Sequence, residues 1–143
     1  MTVKPIPDGY HSVTPYLVVQ GADKLIDFLK EAFEGTEVER MTRPDGGVAH
    51  AEVRIGDSVI MMGEASGEFP AMPAMIYLYV NDADAVYKRA LQARATSLEE
   101  PSDQFYGDRR AGVKDQFGNY WYMATHKEDV SPEEMARRAA ARA

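Results

Sequence analysis

Two stretches of the chain match each other: Tyr16-Leu17-Val18-Val19, followed by Ala22-Asp23, and Tyr77-Leu78-Tyr79-Val80, followed by Ala83-Asp84. Tyr16 and Tyr77 are 61 positions apart, and the two parts of each stretch keep the same spacing. Each stretch has a short run of β-branched and aromatic residues that gives way to a helical pattern. The match therefore predicts a strand–helix unit that occurs twice.

A second pair of matching segments follows in the same order. Ile55-Gly56-Asp57 precedes the apolar segment 59–62, and Phe117-Gly118-Asn119 precedes the segment 120–123, 62 positions after its counterpart. Residues 48–55 alternate between apolar and polar, as a half-buried strand does. Two matched blocks in one order indicate an internal duplication, with chance similarity as the alternative. Each half then contains a strand, a helix and two or three further strands.

The helices are predicted by apolar spacing and by their end signals. Four apolar side chains at helical spacing predict a helix over 22–33, with Gly35 as its C-terminal stop. The equivalent pattern predicts a helix over 83–94. A third helix is signalled by Ser131-Pro132-Glu133-Glu134, which has a capping serine, a proline at the first helical position and a glutamate three residues after the serine.

The length of 143 residues suits one domain, which we expect to cover 1–143. Within it, the duplication predicts a first module over 11–64 and a second over 73–126. The breaker-rich segment 63–73 would join them, and residues 131–143 would form the C-terminal helix.

The composition excludes several kinds of site. The chain has no cysteine, so it has no disulfide, thiolate zinc site, iron–sulfur cluster or cysteine nucleophile. A transition-metal site would have to use the three histidines, His11, His50 and His126, or carboxylates alone.

The charge balance bears on partners and location. Sixteen basic and 23 acidic side chains give a formal net charge of −7, which repels nucleic acid and anionic membranes. No apolar run approaches the roughly 18 residues of a membrane span, and residues 1–12 lack the apolar core of a signal peptide. We therefore expect a cytoplasmic protein that binds neither nucleic acid nor membrane.

Residues two apart on a strand share a face, and this separates two surfaces. The first is aliphatic and is expected to lie under the helices: Leu17, Val19, Ala51, Val53, Ile55, Ile60, Met62, Ile76, Leu78, Val80, Trp121 and Met123. The second is aromatic, sulfur-bearing and partly polar: Thr14, Tyr16, Val18, His50, Glu52, Arg54, Val59, Met61, Met75, Tyr77, Tyr79, Tyr120 and Tyr122. The second surface suits a ligand cleft, and packing against another sheet or subunit is the alternative.

Titratable residues on that second surface are the candidate chemistry. His50 and Glu52 lie two apart on a strand and could supply two metal ligands or an acid–base pair. The alternative is a structural polar row with Arg54. His126, after the last strand, is expected to be a solvated loop residue or to close the cleft.

The segment Phe105-Tyr106-Gly107-Asp108-Arg109-Arg110 is expected to be a loop that carries binding groups. In it, Arg109 or Arg110 could bind a carboxylate or phosphate, or simply pair with Asp108.

The assembled blocks resemble the vicinal oxygen chelate superfamily of glyoxalase I, bleomycin-resistance proteins and extradiol dioxygenases, and most of all its PhnB-like branch. The resemblance covers about Tyr10 to Arg138. It is carried by these segments: Pro15 to Val19 with Ala22 and Phe28, His50-Ala51-Glu52, Ile55 to Ser58, Tyr106 to Arg109, Asp115 to Trp121, Ala124 to His126, and Ser131 to Glu134.

The resemblance implies an α+β fold of paired βαβββ modules, whose curved mixed sheets surround a cleft, usually completed in a homodimer. Enzymes of the superfamily bind a divalent metal through four positions, which correspond here to Thr14, Met61, Met75 and Tyr122. These are not plausible ligands for such a cation, because thioethers suit copper(I) at best. We therefore expect no metal and no cofactor.

Three functional hypotheses follow. The first is a non-enzymatic homodimer that binds a small aromatic, toxic or antibiotic-like molecule, with sequestration as one role. Its ligand-binding residues would be Thr14, Tyr16, His50, Glu52, Met61, Met75, Tyr77, Tyr106, Arg109 and Tyr122. The second is a lyase- or dioxygenase-type enzyme that uses His50 and Glu52, with His126 as a further candidate, as displaced metal ligands or as an acid–base pair. The third is a vestigial cleft on a protein that serves a partner.

Overall fold

Two four-stranded mixed sheets and three helices make up residues 2–142, which are the part of the chain described by the computed structural model. In chain order the elements are β1 (Tyr16–Val19), α1 (Ala22–Phe33), β2 (Thr36–Thr42), β3 (Val48–Ile55), β4 (Ser58–Glu64), β5 (Met75–Tyr79), α2 (Ala83–Gln92), β6 (Thr96–Asp103), β7 (Asp108–Lys114), β8 (Tyr120–His126) and α3 (Pro132–Ala141). The order βαβββ occurs twice and is followed by a C-terminal helix, so the expected α+β fold is confirmed.

The chain divides into two compact units between Ala74 and Met75, and each unit contains one βαβββ sequence. In the first unit the strands lie in the order β1-β4-β3-β2. The first strand runs parallel to β4, with Tyr16 opposite Met61, whereas the other neighbours are antiparallel. Helix α1 buries its apolar stripe against this sheet, and Leu25 and Leu29 are fully inaccessible.

The second unit has the same topology, with strand order β5-β8-β7-β6. Tyr77 lies opposite Tyr122, each 61 positions after its equivalent in the first unit. Trp121 is completely buried, and its indole N–H donates to the carboxylate of Asp115 at 2.8 Å. Most of the aliphatic surface predicted from strand alternation is therefore buried on the core side of its sheet, whereas Ile76, Leu78 and Val80 are only half-buried.

The predicted helices agree with the structure except at three ends. Helix α3 ends at Ala141 and not at 143, a position that lies outside the described residues. Helix α1 covers the predicted range, but the left-handed residue at its end is Glu34, with φ of 56°, and not Gly35. A Cβ on Gly35 would come within 2.7 Å of Val53, so this glycine is required by space rather than by backbone conformation. Helix α2 ends at Gln92, two residues before the predicted end, because Arg94 adopts a left-handed conformation.

Two strand ends also differ from prediction. The segment 105–110 is not all loop, because β7 begins at Asp108 and pairs with β8. His126 is the last residue of β8 and not part of the loop after it. Asp108, Arg109 and Arg110 therefore stand on a paired strand, where neighbouring side chains point to opposite faces.

A side chain on the last strand of each unit caps that unit's helix. The carboxylate of Glu64 accepts hydrogen bonds from the backbone N–H groups of Gly21 and Ala22, at 2.9 and 3.0 Å. Thr125, 61 positions later, accepts from the N–H of Ala83 at 2.9 Å. Helix termini leave such N–H groups without intrahelical partners, so both strands satisfy donors that the helix itself cannot.

Helix α3 begins as its capping sequence predicts, with the Ser131 hydroxyl accepting from the N–H of Glu134. None of its ten residues, all of which the structure describes, is buried. Arg138 links the helix to the β6–β7 turn by donating to the carbonyl oxygen of Phe105 at 3.1 Å. Among residues 2–142, the helices are too short or too polar to cross a lipid bilayer.

Candidate functional site

The face of the first sheet that points away from α1 carries a chain of hydrogen-bonded side chains. The His50 ring lies between Tyr16, whose hydroxyl is 3.1 Å from Nδ1, and Glu52, whose Oε2 is 2.8 Å from Nε2. The hydroxyl of Tyr10 donates to the other oxygen of Glu52. These hydrogen bonds join His50 and Glu52 on β3 to Tyr16 on β1 and to Tyr10 before β1. The alternation of β3 predicts that His50 and Glu52 share a face.

Glu52 is the buried member of this chain, with 5% of its surface exposed. Burial alone would raise the pKa of its carboxyl group, but hydrogen bonds from Tyr10 and His50 outweigh burial and lower it. The same hydrogen bond to Glu52 raises the pKa of the Tyr10 hydroxyl. Glu52 is therefore an ionised acceptor at neutral pH, and Tyr10 is its donor.

Glu39, on the neighbouring strand β2, extends this cluster to the surface. It is the cross-strand partner of Glu52. One donor atom from each of Glu39, His50 and Glu52 lies within 4.8 Å of the other two. Two carboxylates and one imidazole therefore converge at one place in the first unit.

In the second unit the organising group is the carboxylate of Asp108, which is 2% exposed. The hydroxyls of Tyr77 and Tyr79 both donate to its Oδ2 at 2.9 Å. Its Oδ1 lies 2.9 Å from Nδ1 of His126, whose Nε2 in turn lies 2.7 Å from Asp129. Three side chains from β5 and β8 thus meet at one buried carboxylate on β7.

The pKa shifts agree with this arrangement. Burial would raise the pKa of Asp108, but hydrogen bonds from His126, Tyr77 and Tyr79 lower it overall. Hydrogen bonds to Asp108 and Asp129 raise the pKa of His126. Burial, followed by the hydrogen bonds to Tyr106 and Asp108, raises the pKa of Tyr77 far above its ordinary value. A hydrogen bond to Asp108 also raises the pKa of Tyr79. Tyr77 and Tyr79 are therefore neutral donors and are not activated as bases or nucleophiles.

A directional series of hydrogen bonds reaches Asp108 from the β6–β7 turn. Arg110 donates to the Tyr106 hydroxyl at 3.0 Å, and that hydroxyl lies 3.2 Å from the hydroxyl of Tyr77. Because Tyr77 gives its proton to Asp108, Tyr106 must be the donor to Tyr77. Arg110 is itself held by a two-pronged ion pair with Glu99, at 3.1 and 3.0 Å.

Tyr122 completes the aromatic surface of the second sheet. Its ring is nearly parallel to that of Tyr77, with 6.5 Å between centroids and 15° between planes. The guanidinium of Arg110 lies 5.3 Å from the centroid of the Tyr122 ring. Gly112, the cross-strand partner of Tyr122, has no side chain to displace the ring.

The strand registers show how the two halves have diverged. Met61 pairs with Glu52 in the first unit, and its equivalent Tyr122 pairs with Gly112 in the second. Gly112 therefore takes the place of Glu52. Two residues earlier on the same strands, Arg110 takes the place of His50. One sheet thus carries a histidine–carboxylate cluster where the other carries an aromatic surface with an arginine.

The four positions at which the resemblance would place metal ligands do not fit a divalent cation. They hold the hydroxyl of Thr14, the thioethers of Met61 and Met75, and the phenol of Tyr122. Met75 is 64% exposed, and the Tyr122 ring stacks beside Tyr77. Proteins bind hard and borderline cations mainly through carboxylate, imidazole, thiolate or amide donors, and none of these side chains stands at the four positions.

The predicted ligand residues fall into two groups, one in each unit. The first unit contains Thr14, Tyr16, His50, Glu52 and Met61, and the second contains Met75, Tyr77, Tyr106, Arg109 and Tyr122. The structure joins Tyr16, His50 and Glu52 by hydrogen bonds, and it joins Tyr77, Tyr106 and Tyr122 by a hydrogen bond and a ring contact.

Arg109 does not join the second group. Its guanidinium forms a two-pronged ion pair with Asp84 of α2, at 2.7 and 3.0 Å, and also contacts Asp103. Arg109 therefore turns to the helix side of the sheet, and Arg110 is the arginine among the tyrosines. Arg109 also lines a surface groove of about 520 Å³ near the β6–β7 turn, together with Lys127 and Glu128.

Sequence reasoning missed the two residues that hold the clusters together. Tyr10 lies before β1 in an irregular segment. Asp108 was expected in a loop, where Arg109 or Arg110 would either bind a ligand anion or pair with Asp108. The structure gives Asp108 two tyrosines and a histidine instead. The available signal was the series of tyrosines at 77, 79 and 106, which needs a buried acceptor for its hydroxyls.

Comparison with known proteins agrees with this geometry. The family model described as "Glyoxalase/Bleomycin resistance protein/Dioxygenase superfamily" matches residues 9–123. An uncharacterised protein of Mycobacterium bovis is 34% identical over 87% of this chain and 89% of its own length.

Two solved structures share the fold. The crystal structure of TioX from Micromonospora sp. ML1 superimposes with a TM-score of 0.70 at 21% identity, covering 81% of this chain and 98% of TioX. A PhnB protein from Bacillus cereus, described as a putative 3-demethylubiquinone-9 3-methyltransferase, gives a TM-score of 0.65 at 18% identity over 80% and 99% of the two chains. With its repeated βαβββ topology and a family match over most of its length, the chain belongs to the glyoxalase/bleomycin resistance protein/dioxygenase superfamily.

Proposed function

We propose that the protein binds a small, partly aromatic molecule on the tyrosine-lined face of its second unit, without a metal at the superfamily's usual positions. The observation that carries this proposal is that the Tyr77 and Tyr79 hydroxyls share one buried acceptor, Asp108. Sequestration of a toxic or antibiotic-like compound is the role we assign to such binding.

The first supporting argument is preorganisation. Tyr77 and Tyr79 are each held at the hydroxyl end, whereas their rings stay accessible: Tyr79 is 66% exposed and Tyr77 is 37% exposed. Fixing a binding side chain before the ligand arrives removes an entropy cost of about 0.5–1.5 kcal/mol for each side chain. A buried anchor and an exposed ring together suit recognition more than core packing.

The second argument is the shape and chemistry of the surface. The nearly parallel rings of Tyr77 and Tyr122 stand on neighbouring strands and present a flat aromatic area. Met75 lies on the same face of β5 as Tyr77 and adds an exposed, polarisable thioether. A planar ligand would gain stacking contacts of about 0.5–1.5 kcal/mol for each aromatic pair, in addition to its buried area.

A thermal-shift screen against planar aromatic compounds tests this proposal. A ligand present at 100 times its Kd stabilises the folded state by about 2.7 kcal/mol, which raises the melting temperature by roughly 5–10 °C in a chain of this size. Tyr79→Ala should abolish the shift. Phe69→Ala, which removes an exposed aromatic ring from the loop before β5, should retain it.

We also propose that the protein is a homodimer. The observation in its favour is the number of large apolar side chains that the described chain exposes on its sheets, including Tyr16, Met75 and Tyr79. Met75 and Tyr79 lie on one exposed face of β5, and exposed apolar surface of this kind is typical of interfaces as well as of ligand sites. Light scattering coupled to gel filtration would give a mass near 32 kDa for a dimer of the 15.9-kDa chain, and a mass near 16 kDa would contradict the dimer.

A further inference from the structure

We propose that Glu39, His50 and Glu52 form a binding site for a divalent transition metal in the first unit. This site is separate from the four positions that the superfamily's enzymes use. It goes beyond the proposed function, which requires no metal and rests on the second unit.

The donor geometry is the first argument. One donor atom from each of the three residues lies within 4.8 Å of the other two. Ligand atoms that hold Zn²⁺ at 2.0–2.2 Å in a tetrahedron stand about 3.4 Å from one another. His50 Nε2 and Glu52 Oε2 are 2.8 Å apart and now share a proton, so a cation that replaced this proton would need them to separate by only about 0.6 Å.

The surrounding hydrogen bonds are the second argument. The Tyr16 hydroxyl is bonded to His50 Nδ1, which leaves Nε2 directed at Glu52. The Tyr10 hydroxyl is bonded to Oε1 of Glu52, which leaves Oε2 directed at His50. Metal-binding histidines and carboxylates are usually fixed by a partner on their other atom, and both of these residues have one already.

The graded burial of the three residues is the third argument. Glu52 is buried, His50 is half-buried and Glu39 is exposed, so the cluster runs from the interior to solvent. Three protein ligands would leave one tetrahedral position for water or a ligand. One imidazole with two carboxylates favours zinc-like cations over Mg²⁺, which prefers oxygen ligands and bound water.

The second unit provides a natural contrast. His126 also lies between two carboxylates, but Asp108 is bonded to Nδ1 and Asp129 to Nε2. The two ring nitrogens point in different directions, so the two carboxylates cannot both bind one ion together with the histidine. His126 is therefore the matched control for His50.

The test is calorimetric titration of tag-free, chelator-treated protein with ZnCl₂ and, separately, with MgCl₂. We expect one Zn²⁺ per chain, with Mg²⁺ at least tenfold weaker. His50→Ala and Glu39→Gln should each weaken Zn²⁺ binding at least tenfold. His126→Ala, and Glu37→Gln on the same strand as Glu39, should remain within twofold of the wild type.

Glu39 is exposed, so we expect Glu39→Gln to keep the fold. Its Zn²⁺ affinity therefore tests the site even if His50→Ala fails to fold. Equal Zn²⁺ affinity in the wild type and Glu39→Gln would overturn the site, as would a wild-type protein that binds no Zn²⁺. Equal affinities for Zn²⁺ and Mg²⁺ would overturn the assignment to a transition metal. The thermal-shift screen tests ligand binding on the second unit, and the calorimetric titration tests the metal site in the first. Either proposal can therefore be contradicted without the other.

Discussion

Gly112 lies against the ring of Tyr122 so closely that a Cβ on the glycine would come within 2.6 Å of Cε1 and 2.9 Å of Cδ1. The two residues are cross-strand partners on β7 and β8. In the first unit the equivalent pair is Glu52 and Met61, where a flexible thioether stands beside a carboxylate. The loss of a side chain at position 112 is therefore coupled to the presence of a flat aromatic ring at position 122.

Gly112→Ala should destabilise the protein by about 1–3 kcal/mol, because the new methyl group must push the Tyr122 ring or the strand aside. Urea unfolding followed by tryptophan fluorescence would measure this loss. Gly67→Ala is the control, because nothing lies within 4 Å of a Cβ at that glycine, and its effect should stay within about 0.5 kcal/mol. If both variants were equally stable, the ring would not be confined by the glycine.

Asp108→Asn should lower the free energy of unfolding by about 2–4 kcal/mol. Two tyrosine hydroxyls donate to Oδ2 of Asp108, so an amide NH₂ group on that side would face two donors. On the other side it could bond only to a neutral His126, and the ion pair between the two residues would be lost. The same unfolding measurement applies. Asp103→Asn removes only a contact with Arg109 from a side chain that is 80% exposed, and it should cost no more than about 0.5 kcal/mol.

The His126 ion pair should make stability depend on pH. Its pKa is raised in the folded state, so the folded protein binds the proton more tightly than the unfolded chain, whose histidine titrates near 6.5. The stabilisation is complete below about pH 6.5 and is lost as the pH rises through the raised folded-state pKa. Unfolding between pH 5.5 and 9 should show a decline that is shallower in His126→Gln.

His11→Gln is the control for this pH dependence, because His11 is exposed and lies before β1. It should keep the slope of the wild type between pH 5.5 and 9. A slope that was unchanged in His126→Gln would mean that its ion pairs with Asp108 and Asp129 contribute nothing to the pH dependence of folding.

The regular elements were predictable from the sequence because their signals are local. Helix α1 has four apolar side chains at helical spacing, and α3 has a complete capping sequence, so both could be placed from a dozen residues. Alternation over 48–55 predicted β3, and with it the shared face of His50 and Glu52. The edge strands β2 and β6 were not resolved individually, because they are mostly exposed and lack clean alternation.

The partners of Asp108 could not be predicted, because they depend on long-range register. The pairing of β7 with β8 decides which side chains face the tyrosines: Asp108 and Arg110, or Arg109. A shift of one residue would exchange the faces. The sequence pattern around 105–110, with its glycine, indicated a loop. Arg109 was therefore expected at the ligand face, where the structure has Arg110.

The caps of the two helices provide the last test, and it bears on the duplication itself. Glu64 and Thr125 are 61 positions apart. At the start of its unit's helix, Glu64 accepts from two backbone N–H groups and Thr125 accepts from one. Glu64→Ala should cost about 1–2 kcal/mol, because it removes both the acceptor for two N–H groups and a negative charge at a helix N-terminus. Glu64→Gln keeps one acceptor oxygen and should cost about half as much.

Thr125→Val should cost less than Glu64→Ala because α2 has a second cap, although the substitution removes both the acceptor for Ala83 and a hydrogen bond to the carbonyl oxygen of Val80. The side chain of Asp82 accepts from the N–H of Ala85 at 3.1 Å, whereas Gly21 at the start of α1 has no side chain to do so. Glu68→Ala, at an exposed loop position, should change stability by no more than about 0.5 kcal/mol. If Thr125→Val proved the more damaging variant, the strand-borne cap would matter more in the second unit, despite the additional cap from Asp82.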